Sequence, residues 1–345
     1  MAHSLNIREF SGQTDGPHLL ITGGVHGDEF EPMAAIRRLI ELFETKDESV
    51  AGFRGRVTLI PIVNEAAFLR GHRCAEDGLD LARTCPGRPD GSATERTAHA
   101  LSEQIRQTDY YIDLHTGGTE YSVSPLSGYV LHQNPQVLDI QRRMAKAFNL
   151  PIIWGTAPNL EGRSLSVARD ANVPAIYCEY LGGITIPKFV SSGGTTDRDM
   201  IDAMYQQKTG DRQGAIDDYV EGCLNVMGEL DMIDGDPPVS RVEYVAEDPT
   251  PNSGHMQVCN PSPARGYFES AVNLGDAIEA GDLIGTVYGF HNEYSHSIDD
   301  LNRDEAYPIV SSQTGLVLTL RALPLISKGE SVAVILDFEF LQPAP

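Results

Sequence analysis

The chain has 345 residues, 41% of them hydrophobic and 22% charged, with a formal net charge of −23. Its length exceeds one ordinary compact core, so about two domains are expected. The composition is that of a globular protein with no apolar run long enough to span a bilayer, and so acidic a field repels nucleic-acid phosphates and anionic lipid surfaces.

The five cysteines, Cys74, Cys85, Cys178, Cys223 and Cys259, are scattered and form no CxxC pair, which argues against a disulfide framework or a thiolate metal cluster. The N-terminal stretch MAHSLNIREF lacks the basic and apolar regions of a secretory signal, so the expected compartment is the cytoplasm. From residue 18, short apolar runs alternate with amphipathic stretches, the pattern of an α/β domain. HLLITGG (18–24) predicts a strand ending in glycines and EFEPMAAIRRLIELF (29–43) a helix with Pro32 in its first turn. RVTLIPIV (56–63) predicts a buried strand, and the run that follows it, to residue 91, has little hydrophobic period and reads as a loop. Residues 94–107 predict a helix, 109–115 a strand, then come YVLH, a helix at 135–148, PIIW, a short helix at 164–171, a strand at 174–180 and a helix at 211–230. DMIDGDPPVS (231–240) is the linker candidate, acidic with Gly and two adjacent prolines. Beyond it, short β-type runs separated by Gly-Asp and Gly-Glu turns predict a small all-β domain, so the expected division is 1–235 and 236–345.

Three motifs stand at predicted strand ends. In GGVHGDEFEP, His26 and Glu29 follow the first strand at a spacing that lets an imidazole and a carboxylate share one metal, although an isolated His-x-x-Glu is more often a solvated turn. In IDLHTGG, His115 closes another strand, and with both strands central in one sheet His26, Glu29 and His115 make a two-His, one-carboxylate set with a position left for water. Asp113 is then a candidate to orient a ligand imidazole. In PAIYCEYLGG, Glu179 is an acid near the end of an apolar strand, where a general base beside the metal and a salt-bridged structural glutamate fit equally well. The loop-like run adds Arg70, Arg73, Arg83 and Arg88, a basic cluster in an acidic domain that could polarise a carbonyl or clamp a carboxylate.

GGVHGDE, PIVNEAAFLRGHR with DGLDLARTCPG, DLHTGG and PAIYCEYLGG occur in the order and rough spacing of the succinylglutamate desuccinylase and aspartoacylase family, relatives of the zinc carboxypeptidases. Within that family the chain resembles the N-acetyl-diaminobutyrate deacetylase-like branch. The resemblance covers roughly residues 18–230, and the downstream β region also resembles the one these enzymes append. It implies a zinc-carboxypeptidase-like mixed sheet flanked by helices with a smaller C-terminal all-β domain. It implies one Zn2+ per chain on His26, Glu29 and His115, Glu179 as general base, Arg73 near the scissile carbonyl, and Arg83 on the substrate carboxylate. Asn64, from the same run, joins Arg83 as a substrate-binding candidate.

One departure stands out: Ala82 precedes Arg83 where the family usually has Asn, so a side-chain amide is missing. Tyr121, Tyr177 and Tyr180 cannot be ranked as counterparts of the tyrosine that assists in the carboxypeptidases. Lys328 has no flanking methionine, which disfavours a biotinyl- or lipoyl-type carrier role for the C-terminal region; the mouth of the active site or a homo-oligomer contact is expected instead. The expected reaction is hydrolysis of the amide bond of a small N-acyl amino acid or related acylated amine, with no nucleic-acid or membrane partner. A metallocarboxypeptidase acting on peptides and a non-catalytic zinc-binding or ligand-sensing protein are the rivals.

Overall fold

A computed structural model describes residues 5–183, 197–254, 259–290 and 301–344, without the side chains of 197–212 and 301–304. In chain order the elements are β1 (Arg8–Ser11), β2 (His18–Thr22), α1 (Phe30–Thr45), β3 (Arg56–Ile60), α2 (Glu65–Arg70), α3 (Ala93–Ile105), β4 (Tyr110–His115), β5 (Tyr121–Val130), α4 (Pro135–Phe148), β6 (Ile152–Thr156), α5 (Ser164–Asp170), β7 (Ala175–Leu181) and α6 (Asp197–Glu229). Among the described residues only strands follow: β8 (Tyr244–Glu247), β9 (Gly266–Ser270), β10 (Ala277–Ile278), β11 (Leu283–Phe290), β12 (Leu301–Val310), β13 (Gly315–Arg321), β14 (Leu325–Ile326), β15 (Ala333–Asp337) and β16 (Leu341–Pro343).

The large sheet runs β1-β3-β2-β4-β7-β5-β6-β8-β16, with β13 branching from β5 and pairing in turn with β10 and β15. It is mixed: β3, β2, β4 and β7 are mutually parallel, whereas β5 runs antiparallel to β7. The order reverses at β2, whose parallel neighbours β3 and β4 lie on opposite sides, and a crevice opens outside the carboxyl ends of strands at such a switch. A second sheet, β12-β11-β9-β14, is wholly antiparallel.

The central strands are buried on both faces, which is why they read as continuous apolar runs. Side chains alternate across a strand, so Leu19 and Ile21 join the core formed with α1, α4 and α6. Leu20 points to the opposite face and joins the core formed with α3 and α5. Local signals agree with these elements. Ser92 and Glu95 form a reciprocal capping box at the start of α3, and Asn134 caps α4 with Pro135 in its first turn. No helix among the described residues is long and apolar enough to cross a membrane.

Several elements depart from expectation, among them β1, which precedes the first expected strand, and β5, which begins at Tyr121, well before YVLH. The run after β3 is not all loop: Asn64 caps α2, and Asp80 caps a 3-10 turn at Leu81–Arg83. These caps are local hydrogen bonds that a hydrophobic period does not register. Helix α6 begins at Asp197 rather than 211 and runs through Gly210, a residue that costs a helix interior only about 1 kcal/mol. Strands on both sides of residue 235 share the large sheet, since β8 pairs with β6 and Thr319 of β13 stands opposite Val123 of β5.

The loop between β2 and α1 is wedged under α2. A Cβ on Gly27 would lie 2.0 Å from the carbonyl carbon of Ala67, an overlap with backbone that no rotamer can relieve. Gly27→Ala should therefore lower the unfolding free energy by about 1–3 kcal/mol, the usual cost of overpacking. Denaturant unfolding checks this, and a variant as stable as the parent chain would show that α2 is free to yield.

Candidate metal centre

The site is assembled from strand ends. After β2 the chain turns through Gly23 and Gly24, the latter at a φ of +64° that favours glycine, and this turn delivers His26 and Glu29 to the mouth of the crevice. His115 ends β4, the parallel neighbour of β2, and Glu179 of β7 stands directly opposite His115 in the ladder. All four side chains are buried.

Glu29 is shared between two imidazoles. Its Oε1 lies 2.7 Å from Nδ1 of His26, and its Oε2 lies 2.9 Å from Nδ1 of His115. The far nitrogens are held by carboxylates as well: Nε2 of His26 is 3.1 Å from Asp80 Oδ1, and Nε2 of His115 is 3.2 Å from Asp113 Oδ2. An outer carboxylate that accepts a hydrogen bond from Nε2–H fixes the tautomer in which Nδ1 can serve as a ligand, the arrangement seen around metal-bound histidines. Asp113 is pinned by the hydroxyls of Thr22 and Ser164, and the phenol of Tyr219 on α6 donates to the main-chain carbonyl of His115. One ligand atom from each of His26, Glu29 and His115 can be chosen so that all lie within 4.8 Å of one another, so this set could hold a single metal ion.

The electrostatics favour a cation. Burial pushes the Glu29 carboxyl up, but the two facing imidazoles hold it down at about 2. Burial likewise disfavours ionised Asp80, yet His26 and Arg73 keep it well below the usual carboxylate range. Glu179 behaves differently. Its burial dominates over the nearby His115 and, with the negative charge of Glu29, raises it to about 8. Its Oε2 is buried without a hydrogen-bond partner. Two carboxyls in one site are thus driven apart, one fixed as an anion and one poised to exchange a proton.

These groups face a cavity of about 250 Å³ that also reaches Arg73, Ala82, Arg83, Arg163, Tyr121 and Tyr177. Asp80 receives both Nε and Nη2 of Arg73, at 3.2 and 2.9 Å. The Arg83 guanidinium donates to the Ala82 carbonyl at 2.7 Å; burial and the like charge of Arg163 lower it to about 10. Of the other arginines in the run, Arg70 donates to the main chain of Cys74 and Ala75 and Arg88 pairs with Glu95, both off the cavity lining. Asn64 is off it too. It is buried as the cap of α2, with its Oδ1 accepting from the Ala67 amide at 3.2 Å and its Nδ2 buried without a partner. Tyr180 packs against Tyr219 instead of lining the cavity.

Sequence reasoning passed over Arg163. It lines the cavity, donates through Nη2 to the Gly254 carbonyl at 3.0 Å, and keeps a buried Nε without a partner. A signal was present: Arg163 precedes the first turn of α5, where the helix dipole disfavours a cation, so its position asks for a compensating anion. Asp80, in the DGLDLARTCPG run, links His26 to Arg73, a role that its place in that run does not signal.

The chain is 28% identical over 331 residues to the N-alpha-acetyl-L-2,4-diaminobutyric acid deacetylase of Halomonas elongata, covering 94% of this chain and 83% of that one. A succinylglutamate desuccinylase from Silicibacter sp. TM1040 superposes with a TM-score of 0.74 at 22% identity, over 95% of this chain and 87% of the other. The product-bound ectoine utilization protein EutE of Ruegeria pomeroyi gives 0.73 at 23% identity, with the same coverages of 95% and 87%. The sequence model of the Succinylglutamate desuccinylase/Aspartoacylase catalytic domain matches residues 15–187, half of the chain, and the protein belongs to that family.

Proposed function

We propose that the protein is a zinc-dependent deacylase that hydrolyses the amide bond of a small N-acyl amino acid. The observation that carries this reading is the convergence of both Nδ1 atoms on Glu29 while Glu179, on the adjoining strand, presents an unpartnered carboxyl oxygen to the same cavity. The activity named for the Halomonas elongata relative supports it.

His26, Glu29 and His115 would hold the ion. Zinc bound there supplies a Lewis acid that polarises the scissile carbonyl and lowers the pKa of water toward about 7. Glu179 takes the proton of the attacking water as the C–O bond forms, and returns it to the amine nitrogen as the C–N bond breaks. The products are the free acid and the free amine. Arg73, oriented by Asp80, donates to the carbonyl oxygen as negative charge develops on it. Arg83 and Arg163 receive the substrate carboxylate, and Ala82 leaves open the space that an asparagine amide would fill.

The division at 235 is retained as part of the proposal: residues 1–235 carry the chemistry, while 236–345 contribute Gly254, Thr319 and Glu330 to the cavity rim. The thiols of Cys74, Cys85, Cys178 and Cys223 accord with a reducing compartment, and we assign the reaction to the cytoplasm.

The role of Glu179 is tested by Glu179→Gln, which keeps the shape and removes the proton acceptor. With kcat, zinc content and melting temperature measured on one preparation, kcat should fall by about 10² or more while zinc stays near the parent level. Near-normal turnover by metal-loaded variant would dismiss the mechanism, and lost zinc would make Glu179 a ligand. The carboxylate clamp is tested by Arg83→Ala and Arg163→Ala. Each should raise KM at least about tenfold for a free N-acetyl amino acid, the scale of a hydrogen bond to a charged group, and much less for its carboxamide. Equal penalties on acid and carboxamide would remove both arginines from that role.

A further inference from the structure

Tyr177 stands two residues before Glu179 on β7, so the two side chains share one face of the strand, and both reach the cavity. Cys178, between them, points the other way into the core formed with α1, α4 and α6. Across the ladder Tyr177 is opposite Gly128 of β5. A Cβ on Gly128 would lie 2.3 Å from Cε1, 2.4 Å from Cζ and 2.6 Å from the hydroxyl oxygen of Tyr177, so the ring occupies the place of the missing side chain. Gly128 has no positive φ, and it is therefore the tyrosine ring, not the backbone, that requires glycine there.

The ring is packed, but the hydroxyl is not paired. Other tyrosines of the interior have theirs engaged: Tyr111 meets Thr22 Oγ1 at 2.8 Å, Tyr129 donates to Glu247 at 2.6 Å, and Tyr219 donates to the His115 carbonyl. Tyr121, which also lines the cavity, donates to the Ser331 carbonyl at 3.1 Å and accepts from Arg321 at 3.2 Å. The Tyr177 hydroxyl makes no hydrogen bond among the described residues. Glu179 Oε2 is unpartnered as well, so these neighbours do not satisfy one another. Phenylalanine would serve a ring needed for packing alone, and an unmet polar group in a largely buried pocket is unfavourable until something arrives to meet it. Burial and the charge of Glu179 push the phenol up from its ordinary value, which keeps it protonated and able to donate. Besides Glu179, the charge that acts on it is that of Arg163, whose Nε is buried and unpartnered at the same cavity. An anion seated on Arg163 is the acceptor that this hydroxyl can meet.

We propose that the Tyr177 hydroxyl donates a hydrogen bond to the substrate carboxylate beside Arg163, and so selects acylated amines that carry a carboxylate over those that lack one. The inference rests on the deacylase reading and adds a specificity-determining residue to it. A neutral donor suits the place. Burial and the like charge of Arg163 already lower Arg83, so a further cation would add repulsion, whereas a phenol adds a donor without adding charge.

The test is Tyr177→Phe, which keeps the ring against Gly128 and removes the hydroxyl. Zinc content and melting temperature should be no lower than the parent's. KM is read on the best-used member of a panel of N-acetyl amino acids and on its carboxamide. For the acid it should rise about tenfold, the scale of a hydrogen bond to a charged group, and for the carboxamide no more than about twofold. An unchanged KM, an equal penalty on acid and carboxamide, or a fall in kcat with KM intact would overturn the inference while leaving the deacylase reading in place. If the zinc-loaded parent turns over no member of the panel, the deacylase reading fails. Calorimetry of N-acetylalanine against parent and variant then decides the inference: binding weakened about tenfold in the variant upholds it, and equal binding, or binding to neither, overturns it.

Discussion

The structure depends on one buried carboxylate held between two imidazoles. Glu29 cannot lie dry and ionised unless positive charge or strong donors surround it, and His26 and His115 meet it from two different strands. That requirement constrains the fold around it. Strands β2 and β4 must be parallel neighbours with aligned carboxyl ends, the turn at Gly23 and Gly24 must be tight, and Gly27 must lack a side chain so that α2 can close over the loop. Asp80 and Asp113 then fix the outward nitrogens, and Thr22, Ser164 and Tyr219 hold those supports in turn.

Two glutamates in the same site differ because their surroundings differ. Both are buried, but Glu29 has an imidazole on each oxygen, whereas Glu179 has an oxygen with no partner and the charge of Glu29 nearby. The first is therefore suited to hold a cation and the second to move a proton, the division of labour that the proposed hydrolysis needs. The arginines extend the same logic outward from the reacting centre, since Arg73, Arg83 and Arg163 line the same cavity.

Much of this was legible in the chain. The strand-ending motifs at His26, Glu29, His115 and Glu179 are short-range signals, and the alternation of apolar runs with amphipathic stretches put them at one end of one sheet. What was not legible depended on hydrogen bonds or on distant pairing. Asn64 sits in a motif beside the site, yet its side chain is used to start α2. Arg163 joins the cavity through a helix start that lies far along the chain from Arg83, and no periodicity marks it. The C-terminal strands read as a separate β region because turn spacing reports local hairpins. The pairing of β13 with β5 and of β8 with β6 is a tertiary choice that the turns do not encode, while β9, β11, β12 and β14 form a sheet of their own.

The central claim, that this cluster of buried side chains exists to hold a catalytic zinc ion, is tested most directly by titrating metal against activity on a single preparation. Protein purified without chelator should contain one zinc per chain. Stripping the metal should abolish hydrolysis of an N-acetyl amino acid that the loaded protein turns over, and added zinc should restore it in proportion to occupancy up to one equivalent. Full activity in metal-free protein, or the absence of any stoichiometric transition metal in active protein, would contradict the account.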